Sequence, residues 1–414
     1  MDDTSKKKKI LVVVPDFPRL TETFIERDIS KLATYETLSI EVFALRKSNG
    51  FVSDNIANKI TYSRMTYRDL AVGFVKYFLL KPQITLTCLK HILRKDVFDT
   101  NSLSHNLGLF VKGFAYAAVF EKFETDEFHA HFMNEFSSVC LIAAMYLGKP
   151  CSLNIHAKDI FVTPSLPQFK LSHVKFTTVC NKYAYAKCLE ICPQAKDKMH
   201  LIYHGLDEER LVPKSAYILK PANPLIFVNV SRFVEKKGLE YFLQACKLLA
   251  KESISFEAAI VGANDASVSV DMYSKYIDEI KEAGLSDMIK IYGEGKGVAF
   301  EEVKQFYRIA DIFVQPSISS EGSDSDGVPN AVIEAALSKL PIIATDAGSI
   351  TDFLNVYNAL LIPQRDAVSI AQSIKKLLAD SSLRQAIGKR AYFDAKEMFS
   401  SSKNVLLLHN LLLK

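Results

Sequence analysis

No apolar run in the chain reaches the roughly 20 residues that a membrane-spanning helix needs. The nearest approach, Leu70–Leu80, is interrupted by Lys76 and closed by Pro82. The run Ile10–Val14 stops at Pro15 after five residues, too short for the core of a secretory signal. Neither a membrane span nor an export signal is therefore expected. Cysteine spacing is equally uninformative. The seven cysteines show no repeating interval, and Cys188 and Cys192, four apart, lack a histidine or second pair at zinc-site distance. No metal site is expected; free thiols in a reducing compartment are. Glycine is missing from Pro15–Thr23, where a dinucleotide-binding turn would need Gly-x-Gly-x-x-Gly. Charge of one sign is also scarce. Lys and Arg total 51 against 47 acidic residues, a net +4, with basic clusters only at Lys6–Lys9 and Lys81–Lys95. No nucleic-acid partner is expected. A local anionic partner, phosphate or lipid headgroups, remains open.

What is present is an ordinary globular composition, 49% apolar and 24% charged, in a chain of 414 residues. That length exceeds one common core and suggests two or three domains. Strand-like and helix-like runs alternate. Ile10–Val14, Ile40–Leu45, Phe128–Phe132, Cys151–Ile155 and Thr177–Cys180 read as strands of a first series. The β-branched continuity of the first fits a strand covered on both faces. Phe136–Leu147 reads as a helix stopped by Gly148 and Pro150. A second series follows: Leu225–Val230, Glu257–Val261, Ile289–Tyr292, Ile312–Gln315 and Pro341–Ala344, with helices at Gly238–Lys251 and Ala331–Lys339. Two βαβ series predict two doubly wound α/β domains, with Asp207–Pro224 as the linker. Residues 51–125 break the alternation. They read as a helical insertion carrying aromatic and basic residues, from Tyr62 and Arg64 to Phe78 and Lys81. The insertion either packs on the first domain or meets a membrane or lipid-linked acceptor through residues 62–95.

Two loops carry phosphate chemistry. Near Pro329 a helix is expected to begin, and the N–H groups of Val328, Asn330 and Ala331 would project from its end as an anion seat. Gly327 permits close backbone approach. Asp326 and Glu334, eight residues apart, bracket this seat. Acceptors on both sides of a phosphate suit a nucleotide sugar, although Asp326 could equally cap the helix. The second loop, Ser231–Gly238, follows a strand, where open α/β folds bind ligands. Arg232 offers a bidentate fork to phosphate and Lys237 a point charge. Thr23 and Glu26 have the spacing of a capping box that would start a helix.

With Pro18–Ile25, His129-Ala130-His131-Phe132, Asn154–Phe161 and Tyr203-His204-Gly205-Leu206-Asp207, these pieces occur in one order. In that order they resemble family 4 retaining glycosyltransferases of the GT-B fold, in particular the bacterial exopolysaccharide and colanic-acid branch. The resemblance implies two doubly wound Rossmann-like domains facing across a cleft. Residues 1–206 would form the acceptor domain, with its insertion at about 51–125, and 207–395 the donor domain. Residues 396–414 would return as a helix to the first. It implies that Arg232 and Lys237 hold the donor diphosphate, Glu334 the ribose, and Asp326 the sugar hydroxyls. The family has Glu at the position of Asp326, and the shorter side chain bears on donor choice. His156 would contact the donor sugar and support the transition state. Thr21, Glu22, His131 and Lys158 would lie on the acceptor side, and Gly293 and Glu294 near the nucleobase. Asp352 stands where the family has Glu.

The expected reaction is transfer of a sugar from a nucleotide diphosphate to a hydroxyl of a saccharide or polyprenyl-linked acceptor. It would proceed with retention and with no cofactor or bound metal, since Arg232, Lys237 and the helix terminus stabilise the leaving group. The expected location is the cytoplasm, peripheral to the inner face of the membrane. Rival readings are an epimerase of the same fold, a non-catalytic nucleotide-sugar-binding subunit, or a GT-A transferase holding a divalent ion at Asp324-Ser325-Asp326.

Overall fold

The computed structural model describes residues 7–19, 22–94, 96–156, 158–206, 211, 224–265, 270–319 and 327–414, with the side chain of Lys158 left out. Two compact units result, one of Met1–Leu206 with Ser401–Lys414, the other of Asp207–Ser400. The expected linker lies almost wholly outside the described residues.

In the first unit, seven parallel strands follow the order β3-β2-β1-β4-β5-β6-β7. They are β1 (Lys8–Phe17), β2 (Leu38–Lys47), β3 (Ile60–Tyr62), β4 (Glu127–His131), β5 (Cys151–Ile155), β6 (Thr177–Val179) and β7 (Met199–Leu201). The apolar run at the start of the chain sits in the middle of this sheet. Side chains alternate across a strand, and β1 shows the consequence. Leu11 and Val13 join a core with Phe43, Phe128 and the helices Leu103–Phe120 and Glu135–Leu147. Ile10, Val12 and Val14 join a second core with the helix Thr23–Leu32 and the C-terminal helix Ser401–Leu413. That last helix buries Val405, Leu408 and Leu412. At roughly 1.5–3 kcal/mol per buried large aliphatic side chain, it is an integral part of this unit. Asn404 donates to the Tyr203 carbonyl at 2.9 Å, and Thr37 Oγ1 lies 2.7 Å from His409 Nε2.

Several local expectations need correction. The Thr23–Glu26 capping box does not form, because Glu22 occupies the cap position without a side-chain bond. Glu26 instead accepts from the Ser53 amide and hydroxyl at 2.9 and 2.6 Å. The stretch 51–125 is not wholly helical, since β3 adds an edge strand at Ile60–Tyr62. Strands β3 and β7 have three residues each. That is too short for a periodicity signal.

The second unit has six parallel strands in the order β10-β9-β8-β11-β12-β13. They are β8 (Leu225–Val230), β9 (Phe256–Val261), β10 (Ile289–Tyr292), β11 (Ile312–Gln315), β12 (Ile342–Thr345) and β13 (Leu360–Ile362). Strand β8 pairs with both β9 and β11, so the order reverses there. Sheets of this kind bind ligands beyond the carboxyl ends of the strands at such a reversal.

Candidate functional site

Each unit carries a cluster at the carboxyl edge of its own sheet. In the second unit, the loop after β8 is pinned before it can present any charge. Buried Asn229 donates to the Val314 carbonyl at 2.7 Å and accepts from Ser231 Oγ at 2.7 Å, linking β8 to β11. Phe233 is fully buried, and its amide bonds the Ala263 carbonyl at 2.7 Å. A short turn, Glu235–Lys237, ends at Gly238, whose φ of +64° suits glycine. A β-carbon there would also meet the Pro316 carbonyl oxygen at 1.9 Å. The loop is therefore pressed against the chain leaving β11, across the reversal point. Lys237 is 7% exposed, held low in this loop. Arg232 projects outward and pairs with Asp265, which follows β9.

The turn after β10 belongs to the same edge. Gly293, Glu294, Gly295 and Gly297 all have positive φ. The Asn264 amide bonds the Gly295 carbonyl at 2.8 Å, and Gly262 leaves no room for a side chain against Ser231. The loops after β8, β9 and β10 are thus stacked on one another.

The helix Asn330–Leu337 begins after Pro329, which takes the cap position with φ −63° and ψ 133°. The amides of Val332 and Ile333 return to the Pro329 carbonyl. Those of Asn330 and Ala331 have no backbone acceptor among the described residues. They remain available to an anion. One turn in, Glu334 accepts the Tyr307 hydroxyl at 2.8 Å. Tyr307 is buried, and burial first, then the Glu334 charge, raise its pKa well above the usual phenol value. It therefore stays a hydrogen-bond donor and orients the carboxylate. Gln315, at the end of β11, bonds Ser317 Oγ at 2.8 Å through its nitrogen, while its buried oxygen has no partner. Asp352 lies in the short turn Ile350–Asp352 after β12. Asp326 and Glu321 fall outside the described residues, as do Asp324 and Ser325.

In the first unit, β4 and β5 each end in a histidine, and a third joins them. His131 Nδ1 lies 3.0 Å from His156 Nε2, and His156 Nδ1 lies 3.2 Å from His204 Nε2. The rings are stacked, with centroids 5.2 and 5.0 Å apart. Phe24 stacks on His204 at 4.1 Å, and Phe132 packs on His156 at 4.7 Å. Burial depresses all three pKa values, that of His204 to about 3 and those of His131 and His156 well below the usual imidazole value. Both nitrogens of His156 are engaged by other histidines. A sugar hydroxyl could bond them only by displacing one. Asp159 holds the geometry by accepting the His156 amide at 2.9 Å and the Met133 amide at 2.5 Å. It ties the turn after β5 to the turn after β4. Its carboxyl is raised to about 6 by burial, and burial lowers nearby Lys170 to about 7. Glu22 pairs with Arg19 at 2.8 Å. Thr21 and the side chain of Lys158 lie outside the described residues.

Tyr307, Asp265, Asp159 and His204 in its bonded role were not singled out by spacing. Tyr307 precedes Glu334 by 27 positions, on a different helix. Only Asp159 and His204 stood inside quoted motifs.

Residues 214–393 match the family model for glycosyl transferases group 1. The second unit therefore carries a domain of that family. The chain is 29% identical over 188 residues to the amylovoran biosynthesis glycosyltransferase AmsK of Erwinia amylovora, covering 45% of this chain and 43% of that protein. It is 28% identical over 184 residues to the putative colanic acid biosynthesis glycosyltransferase WcaL of Escherichia coli K12, covering 44% and 42%. These matches span less than half the length of either relative. Across the fold, Anabaena HepE in complex with UDP aligns with a TM-score of 0.67 at 14% identity, over 98% of this chain and 99% of that one. The two sheets are those of a GT-B fold.

Proposed function

We propose that the chain is a retaining glycosyltransferase that moves a sugar from a nucleoside-diphosphate donor to a saccharide or polyprenyl-linked acceptor in bacterial surface polysaccharide synthesis. The observation that carries this reading is the group 1 domain with Arg232, Lys237 and the Tyr307-held Glu334 gathered around the reversal of its sheet. The relatives AmsK and WcaL are named for polysaccharide biosynthesis, and HepE holds UDP. A diphosphate would meet Arg232, Lys237 and the amides of Asn330 and Ala331. Arg232 would exchange Asp265 for phosphate oxygens. Glu334 would take the ribose hydroxyls, Asp326 the sugar hydroxyls, and the turn at Gly293 and Glu294 the nucleobase side. These groups develop complementarity to a leaving diphosphate without a metal, because fixed cations and amide dipoles stabilise its growing charge.

The acceptor side is assigned to the first unit, with Thr21, Glu22, His131, His156 and Lys158. A peripheral membrane contact fits its insertion. Val72, Phe74, Val75, Leu79, Leu80, Leu86 and Leu93 are exposed there among Arg68, Lys76, Lys90 and Arg94. Exposed apolar residues flanked by cations suit an anionic bilayer surface. Among the described residues no helix is long and apolar enough to cross one.

The test is release of nucleoside diphosphate from a panel of nucleotide sugars, with and without EDTA. One donor should turn over with EDTA present, and Glu334→Ala should abolish that turnover while leaving the melting profile intact. Undiminished turnover in Glu334→Ala, or strict Mn²⁺ dependence, would refute the corresponding part.

A further inference from the structure

The histidine chain of the first unit has more order than three neighbouring rings require. Burial keeps each ring neutral at ordinary pH. A neutral imidazole has one N–H and one lone pair. Each of the two contacts needs one donor and one acceptor. The choice made at one ring therefore sets the choice at the next. Only two arrangements satisfy both contacts, with all N–H bonds pointing one way along the chain or all pointing the other.

The ends of the chain decide between them. His131 Nε2 and His204 Nδ1 have no hydrogen-bond partner among the described residues, and neither is among the enclosed atoms lacking one. His204 lines a small cavity with Asp28, Asn154, Thr178, Tyr203 and Asn404. Asp28 is a carboxylate, an acceptor only. It favours a proton on His204 Nδ1. His204 Nε2 must then accept from His156 Nδ1–H, and His156 Nε2 must accept from His131 Nδ1–H. His131 is left with a bare lone pair on Nε2.

We propose that His204 and His156 are positioning residues that, through two hydrogen bonds, hold His131 in the Nδ1–H tautomer and present its Nε2 as a hydrogen-bond acceptor for a ligand hydroxyl. This rests on the glycosyl-transfer reading for the identity of that hydroxyl, but not for the tautomer. It assigns His156 a role inside the chain rather than a direct contact with the sugar. The packing supports it. Phe24 and Phe132 clamp the middle and far rings. Phe132 itself has φ +72°, unusual for a residue with a side chain. Asp159 fixes the His156 backbone from beneath.

The experiment is ¹⁵N-histidine NMR on the full chain, which distinguishes the two neutral tautomers, together with donor turnover. In the wild type His131 should show only the Nδ1–H form. A single Nε2–H form would overturn the proposal without any variant. In His204→Phe, which preserves the stack on Phe24, His131 and His156 should become tautomer mixtures. Turnover should fall roughly 100-fold in kcat, with the donor KM unchanged. His204→Gln, whose amide can still accept from His156, should restore most of both. An unmoved His131 spectrum in His204→Phe overturns the proposal. If the tautomer moves as expected but no nucleotide sugar is turned over by the wild type, the chain of histidines stands and the transfer reading fails.

Discussion

His129 offers a quantitative test of how the first unit is built. It lies mid-strand in β4 with no exposed surface. Its Nδ1 is 2.9 Å from Ser152 Oγ, while its Nε2 is buried without a partner. Burial lowers its pKa from 6.5 to about 4. An unfolded chain binds this proton below pH 6.5, but the folded one refuses it until about pH 4. Stability is therefore complete above 6.5 and is lost as pH falls through that window. The interval of 2.5 pH units, 6.5 minus 4, is worth about 3.4 kcal/mol at 1.36 kcal/mol per unit. At pH 5 roughly 2 kcal/mol has already been lost to this one ring.

His129→Leu removes both the titration and the orphaned nitrogen, and Ser152 Oγ keeps its bond to the Phe128 carbonyl at 3.2 Å. The variant should gain about 2 kcal/mol more over wild type at pH 5 than at pH 8. For a unit of this size that is about 4–8 °C in Tm. Far-UV circular dichroism melts at the two pH values measure it. An equal Tm difference at both would refute the premise that His129 is held neutral by burial.

Three other outcomes follow from named contacts. Tyr307→Phe leaves Glu334 without its 2.8 Å donor; at about 1.5–3 kcal/mol for a bond to a charged group, donor affinity should weaken at least tenfold in a titration calorimeter. Gly238→Ala puts a β-carbon 1.9 Å from the Pro316 oxygen, whereas Gly284→Ala, at a similar φ of +68°, meets nothing within 4 Å. The first should lower Tm by several degrees more than the second, and equal losses would mean that only the backbone angle matters. All seven cysteines are buried free thiols, with Cys88 raised to about 12 by burial. DTNB should label almost none in the native protein and all of them in guanidinium; rapid native labelling would contradict the packing.

Much of the fold was legible because parallel strands buried on both faces leave continuous apolar runs. Ile10–Val14, Cys151–Ile155 and Leu225–Val230 are of that kind. Glycines and prolines closed the elements, as Gly148 does at φ +66°. Edge strands with three residues left no such trace. The phosphate seat was legible for a related reason. A helix terminus and the loop after a strand are local features, so Arg232, Lys237 and Asn330 could be placed from neighbours in sequence.

What supports those groups could not be read so. Tyr307 reaches Glu334 from another helix, and Asp265 reaches Arg232 from the loop after β9. The three histidines come from separate strand ends, positions 131, 156 and 204, and meet only when β4 and β5 lie side by side. Sequence by itself determined which residue types stand at the carboxyl edge of each sheet, because that depends on periodicity and turn chemistry along the chain. Tertiary structure alone decided their partners, protonation and tautomer. Those depend on burial and on distances of about 3 Å between residues that the chain holds far apart.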